Sequence, residues 1–143
     1  MIKDIQQHHR EEEIQIVKFE NQNHYWIKEL GFLSEELDFY KELLSNPLKE
    51  KTKIKQAKAD VLLYELKKLK KWNDLYLQEC YNSQNKLENQ KECDQIDCDY
   101  AFLRAQLVIR RKIEKYIEEV QALKKAIFRF LKRNPEIITS FQN

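Results

Sequence analysis

His24 is the one histidine inside a predicted helix, and its imidazole has the chemistry for a metal site. Glu20 precedes it by one helical turn, a spacing at which two side chains can hold the same ion. Zinc and iron sites need further protein ligands, and the paired Glu-x-x-His motifs of di-iron bundles are absent from the chain. We therefore favour a partly buried, hydrogen-bonded imidazole beside Trp26, and we predict no metal, no cofactor and no catalytic residue.

The three cysteines form no recognisable redox or zinc motif. Cys93 and Cys98 are separated by four residues and lack a second Cys or Cys/His pair. The acidic residues around them would raise the thiol pKa and so suppress the reactive thiolate; these are Glu92, Asp94, Asp97 and Asp99. We expect reduced, non-catalytic thiols, with a Cys93–Cys98 disulfide as the alternative under oxidising conditions.

Polar residues interrupt the apolar stripes of the predicted helices at Asn23, Asn73, Gln106 and Arg110. One interpretation is a polar pocket around Asn23, His24, Asn73 and Gln106 that binds a ligand or a metal. The other is a device that fixes helix register, as a single buried Asn does in a coiled coil. We favour the second interpretation.

Two basic runs, 67–71 and 110–112, are the best indication of nucleic-acid binding. Acidic segments of similar charge lie in the same chain, and the sequence pI of about 8.3 is modest. Solvated lysine faces are the usual meaning of such runs. Nucleic-acid binding through basic helix faces is therefore an alternative function, and we consider it unlikely to be the main one.

The elements that must position these residues are long helices. A chain of 143 residues with one Gly and two Pro has few turn signals, while 35% charged and 42% hydrophobic residues suit amphipathic helices. We predict a single all-α domain over 1–143. Its helices lie at about 11–45, at 50–81 or longer, and at 97–132, with a flexible segment 1–10 and a tail 134–143. Whether 82–96 is helical stays open.

Apolar residues at a 3-4 spacing give each helix one face for a shared core. Short connections place neighbouring helices antiparallel, so the predicted fold is an elongated three-helix, coiled-coil-like bundle, with dimerisation as an open question. Gly31 inside the first helix suggests the close approach of a neighbouring backbone. The core stripes are Ile16, Phe19, Trp26, Leu30, Leu33, Leu37, Tyr40 and Leu44; Ala59, Leu62, Leu66, Leu69, Tyr76 and Cys80; and Phe102, Ile109, Ile113, Tyr116, Val120, Leu123, Ile127 and Phe130.

The formal net charge of +2 conceals alternating blocks of charge. Residues 1–45 hold five basic and ten acidic side chains, and residues 46–71 hold nine and three. Residues 72–99 hold two and seven, and residues 100–143 hold ten and four. In an antiparallel bundle the acidic first helix lies against basic parts of the other two, which favours this register.

A second apolar stripe on the first helix is the main functional signal. Tyr25, Phe32 and Phe39 recur every seventh residue beside the core stripe. These rings either close the core at its edge or form a contact surface for a protein partner or a second copy. Our leading hypothesis is a non-enzymatic bundle that acts in protein–protein interaction or self-association through this stripe.

The segment 24–39, His24 to Phe39, contains His24-Tyr25-Trp26-Ile27-Lys28-Glu29-Leu30 followed by further aromatic residues. It resembles the aromatic-rich first helix of small uncharacterised bacterial helical-bundle proteins. The resemblance implies a helical bundle and carries no activity with it. No apolar run is long enough to span a bilayer, so we expect a soluble cytoplasmic protein without membrane contact.

Overall fold

The computed structural model describes residues 2–45, 53–90 and 96–142 of the chain. It contains helices α1 (Ile2–Ser45), α2 (Lys53–Gln90), α3 (Ile96–Arg133) and the short α4 (Glu136–Gln142). Within those ranges every residue except Asn134 and Pro135 is α-helical. The predicted all-α fold of three long helices is therefore confirmed.

The helix bounds extend beyond the expected ones at three places. The backbone is helical from Ile2, so the segment 2–10, which we expected to be flexible, belongs to α1. Helix α2 continues to Gln90, which makes 82–90 helical, while 91–95 lies outside the described residues. Helix α3 begins at Ile96, one residue before the expected start.

The helices run up, down and up. Asn73 of α2 contacts Leu30 of α1, and Lys70, one turn earlier in α2, contacts Ser34, one turn later in α1, so the two helices are antiparallel. Tyr116 of α3 contacts the same region of α2. Helices α1 and α3 are parallel, because their contacts advance together from Phe19–Phe102 to Glu36–Lys124.

One main core fills most of the bundle, and it is built from the predicted stripes. Leu30, Cys80, Ile113, Val120 and Ile127 have no exposed surface. Tyr40, Leu62, Tyr76, Ile109 and Leu123 of the predicted stripes are only partly buried and pack at the edge of this core. Burial of a Leu or Ile side chain contributes about 1.5–3 kcal/mol, so the core stripes are the main source of stability.

A second, smaller core lies towards the start of α1. It consists of Ile16, Phe19 and Phe102, with the Phe19 and Phe102 rings 6.0 Å apart in an edge-to-face arrangement. Between the two cores along the three helices lie the buried polar side chains of Asn23, Ser83 and Gln106, which we call the polar layer. The hydrophobic interior is therefore divided into two unequal parts.

The tail folds back onto the bundle, because Ile137 of α4 is buried in the main core. Pro135 cannot continue a helical hydrogen-bond ladder, and α3 ends at Arg133 just before it. The buried Asn134 side chain donates through Nδ2 to the Phe130 carbonyl at 2.8 Å and so closes the end of α3. Ile138 is partly exposed, and the Phe141 side chain lies outside the described part.

Ion pairs join the acidic end of α1 to the basic parts of its neighbours. Lys70 Nζ lies 3.2 Å from Asp38 Oδ2 and also bonds Ser34, while Lys124 pairs with Glu36. These pairs join acidic residues of α1 to basic residues of α2 and α3, as the alternating charge blocks of the sequence led us to expect. Each exposed pair contributes only ~0.2–1 kcal/mol, so they select the register more than they stabilise the fold.

Gly31 does not serve a close backbone approach, contrary to our expectation. A Cβ atom built at this position would meet nothing within 4 Å, and the residue does not have a positive φ. The glycine therefore carries the entropic cost of its backbone freedom without a packing benefit.

Replacing Gly31 by Ala should raise the free energy of unfolding by about 0.5–1 kcal/mol, because Ala favours the helix and finds open space. Urea unfolding monitored by circular dichroism measures this change. A decrease in stability would show that the position has a tight neighbour.

Candidate functional site

The aromatic stripe, which consists of Tyr25, Phe32 and Phe39, lies on the outer face of α1. At 100° per residue its rings are about 140–180° round the helix from Leu30, which is fully buried. Tyr25 is 59% exposed, Phe32 61% and Phe39 47%. The structure therefore places these rings outside the core, and the suggestion that they close its edge is wrong.

Two aliphatic side chains extend the stripe towards the start of α1. Ile14 and Val17 are 56% and 53% exposed and lie on the same side of the helix as the rings. From Ile14 to Phe39 the apolar surface runs roughly 38 Å along the helix. The exposed polar residues Asn21, Lys28 and Glu35 lie between these apolar side chains, so the apolar surface is interrupted. Exposed apolar side chains that recur on one helix face are typical of interaction sites.

A second surface feature, the α2–α3 groove, was not predicted. It lies between α2 and α3, no residue of α1 lines it, and its cavity volume is about 960 Å³. The repeat of Ile54 and Val61 seven residues apart was a sequence signal for it. The walls are formed by Ile54, Lys55, Ala57, Lys58, Val61 and Leu62 of α2 with Ala126, Arg129, Phe130, Arg133 and Asn134 at the end of α3.

A buried hydrogen-bond cluster joins all three long helices at Asn73. The Asn73 Nδ2 donates to the Leu30 carbonyl at 2.8 Å, and the Tyr116 hydroxyl lies 2.9 Å from Asn73 Oδ1. The same hydroxyl lies 2.9 Å from the Leu69 carbonyl, so its single proton is shared between two acceptors. Burial raises the pKa of Tyr116, with the negative charge of Asp74 as a second cause, which keeps the hydroxyl protonated.

The other polar residues of the predicted pocket do not join Asn73. Asn23 is buried, and neither its Nδ2 nor its Oδ1 has a hydrogen-bond partner among the side chains that the structure describes. Gln106 is also buried, whereas His24 is exposed and Arg110 pairs on the surface with Glu114 at 3.0 Å. A pocket shared by Asn23, His24, Asn73 and Gln106 is therefore not formed, and the suggested buried imidazole beside Trp26 is wrong.

Cys80 is a buried core residue without access for a substrate. Burial raises the pKa of its thiol to about 12, with a smaller effect from the charge of Glu79. The thiol is thus protonated at neutral pH, and thiolate chemistry is suppressed. Cys93 and the side chain of Cys98 lie outside the described part of the chain.

The basic run 110–112 is exposed, whereas the run 67–71 is divided between the surface and the bundle interior. Lys67, Lys68 and Lys71 are exposed, but Leu69 between them is buried and Lys70 is bound to Ser34 and Asp38.

In the described ranges no three His, Cys, Asp or Glu side chains are grouped to hold a metal ion. None of the helices described is long and apolar enough to cross a membrane.

The two buried asparagines should respond to mutation in opposite directions. Replacing Asn73 by Leu should lower the free energy of unfolding by about 1–3 kcal/mol, because the Leu30 carbonyl loses its donor and Tyr116 an acceptor. Replacing Asn23 by Leu should raise it by a similar amount, because two buried atoms without partners are removed. Chemical denaturation of both variants measures the difference, and equal signs would contradict this assignment.

The Cys80 thiol should make stability depend on alkaline pH. Its folded pKa is raised from 9.0 to about 12, so the stabilisation is fully present below pH 9 and is lost as pH rises towards 12. The difference in unfolding free energy between the wild type and Cys80→Ala should be about 2 kcal/mol smaller at pH 10.5 than at pH 8. Urea titrations at both pH values test this, and a constant difference would contradict it.

Comparison of the chain with protein-family models, with curated proteins and with solved structures finds no match. The resemblance of 24–39 to small bacterial helical bundles therefore stays a prediction. The surface features of the chain are therefore the basis on which we infer a function.

Proposed function

We propose that this protein is a non-enzymatic helical bundle that acts through protein–protein contact, including contact between its own copies. The observation that supports this proposal is the exposure of Tyr25, Phe32 and Phe39 on the outer face of α1. The core stripe of the same helix packs inside the bundle, whereas the three rings remain 47–61% exposed.

The size of the stripe indicates the strength of the contact. Covering the exposed parts of three aromatic rings removes roughly 300 Å² of apolar surface from water. At about 25 cal/mol per Å² this contributes about 7 kcal/mol, which is within the ~4–15 kcal/mol that association costs in lost freedom. The stripe therefore supplies the centre of an interface, and additional contacts must complete it.

Glutamate substitution of Phe32 tests the proposal, because Phe32 is the most exposed of the three rings and a charge there leaves the core intact. Light scattering and sedimentation velocity should show a molar mass that rises with concentration for the wild type. Phe32→Glu and Phe39→Glu should lower this mass to that of the monomer.

Tyr81→Glu is the matched control, because Tyr81 is 46% exposed but lies on α2 away from the stripe. It should associate like the wild type, and thermal unfolding should show that all variants are folded. A wild type that is strictly monomeric, or association that Phe32→Glu and Phe39→Glu leave unchanged, would contradict self-association through the stripe.

A further inference from the structure

The α2–α3 groove has the shape that a ridge of aromatic side chains requires. Its floor is apolar, with Leu62 and Phe130 at the core edge and Val61 62% exposed at the mouth. Small side chains at Ala57 and Ala126 leave room where larger residues would fill the space. Helices pack when a ridge of side chains enters a groove on a neighbour.

The rim of the groove is positively charged. Lys58, Arg129 and Arg133 are exposed, and no ion pair joins them to acidic residues that the structure describes. Glu136 near the groove already pairs with Lys55 at 3.8 Å. An occupant that carries carboxylates beside apolar side chains would therefore match both the floor and the rim.

The outer face of α1 carries this combination at its C-terminal end. Glu35 lies four residues before Phe39 and Glu42 three residues after it, so both carboxylates lie beside the ring. Both glutamates are exposed. The aromatic stripe thus presents apolar and acidic groups together, as the groove requires.

The two surfaces lie at the same height on opposite sides of the bundle. Because Glu36 pairs with Lys124 and α1 runs parallel to α3, Phe39 is about level with Ile127. That height falls within the part of α3 that lines the groove. A second copy in the same orientation therefore brings its Phe39 over the groove without rotation.

We propose that copies of this chain stack front to back, with the outer face of α1 of one copy in the α2–α3 groove of the next. Phe39 covers the apolar floor and Glu42 lies beside Arg129 and Arg133, whereas Phe32 and Glu35 lie beyond the groove, about level with Val120 and Leu123 of α3. This inference rests on the proposed self-association and names the surface that the aromatic stripe binds. Such a heterologous contact does not close on itself, so stacks grow beyond a dimer.

A symmetric contact between two α1 helices fits less well. With Phe32 on the two-fold axis of an antiparallel pair, Glu29 lies opposite Glu35 of the second copy. Like charges in this position repel each other. In a symmetric pair two ridges of side chains would face each other, whereas the groove has a shape that is complementary to a ridge.

Two blocked variants test the stack. Phe32→Glu/Phe39→Glu blocks the stripe and keeps the groove, whereas Val61→Glu/Arg129→Glu blocks the groove and keeps the stripe. All four residues are exposed, so the folded bundle should be kept, which thermal unfolding checks. Each variant alone should be monomeric, with association at least roughly thirtyfold weaker than in the wild type.

An equimolar mixture of the two variants should form a one-to-one complex and stop there, because one stripe and one groove remain. Sedimentation velocity of the mixture measures this, and raising the salt concentration should weaken the complex. Tyr81→Glu, which keeps both the stripe and the groove, serves as the control and should by itself form stacks that grow like those of the wild type.

Three results would overturn the stack. If the stripe variant loses association while the groove variant keeps it, self-association through the stripe holds but the groove is not its partner. If the wild type does not associate at all, the proposed function fails as well. Binding of dodecanoate to a monomeric wild type, lost in Val61→Glu/Arg129→Glu, would assign the groove to an anionic amphiphile instead.

Discussion

The hydrogen bonds of Asn73 are the constraint on which the arrangement of the three helices depends. Apolar packing alone tolerates a shift of one helix along another, because many registers bury Leu and Ile side chains equally well. A buried amide favours the register in which its donors and acceptors meet partners, because these hydrogen bonds offset the cost of its burial. Leu30 on α1 and Tyr116 on α3 meet Asn73 in one register, so a single side chain of α2 aligns both of its neighbours.

The register of the three helices also determines which side chains are exposed on the surface. Once Leu30 faces α2, the residues opposite it on α1 must face outward, and the aromatic stripe becomes an exposed ridge. The same alignment of α2 and α3 brings Ile54 and Val61 against Ala126 and forms a groove on the other side of the bundle. The ridge and the groove are therefore two results of one internal arrangement, which links the proposed interface to the core.

The spacing of apolar residues in the sequence predicted the core, because the direction of a side chain around the helix axis follows from its sequence position alone. They did not decide whether Tyr25, Phe32 and Phe39 are covered, since coverage depends on the number of neighbouring helices. The groove arises from segments 54–62 and 126–134, which only tertiary packing brings together. Asn23 and Asn73 look alike in the sequence, and they differ because only Asn73 has Tyr116 opposite it.

The polar layer has a consequence for the way the molecule opens. Asn23, Ser83 and Gln106 separate the small core of Ile16, Phe19 and Phe102 from the main one, so few apolar contacts couple the two parts. The small core can therefore lose its packing while the main core persists, and its amide hydrogens exchange with solvent at a lower energetic cost. The end of the bundle that α4 closes is thus the more rigid end, and the end where α1 begins opens locally at a lower cost.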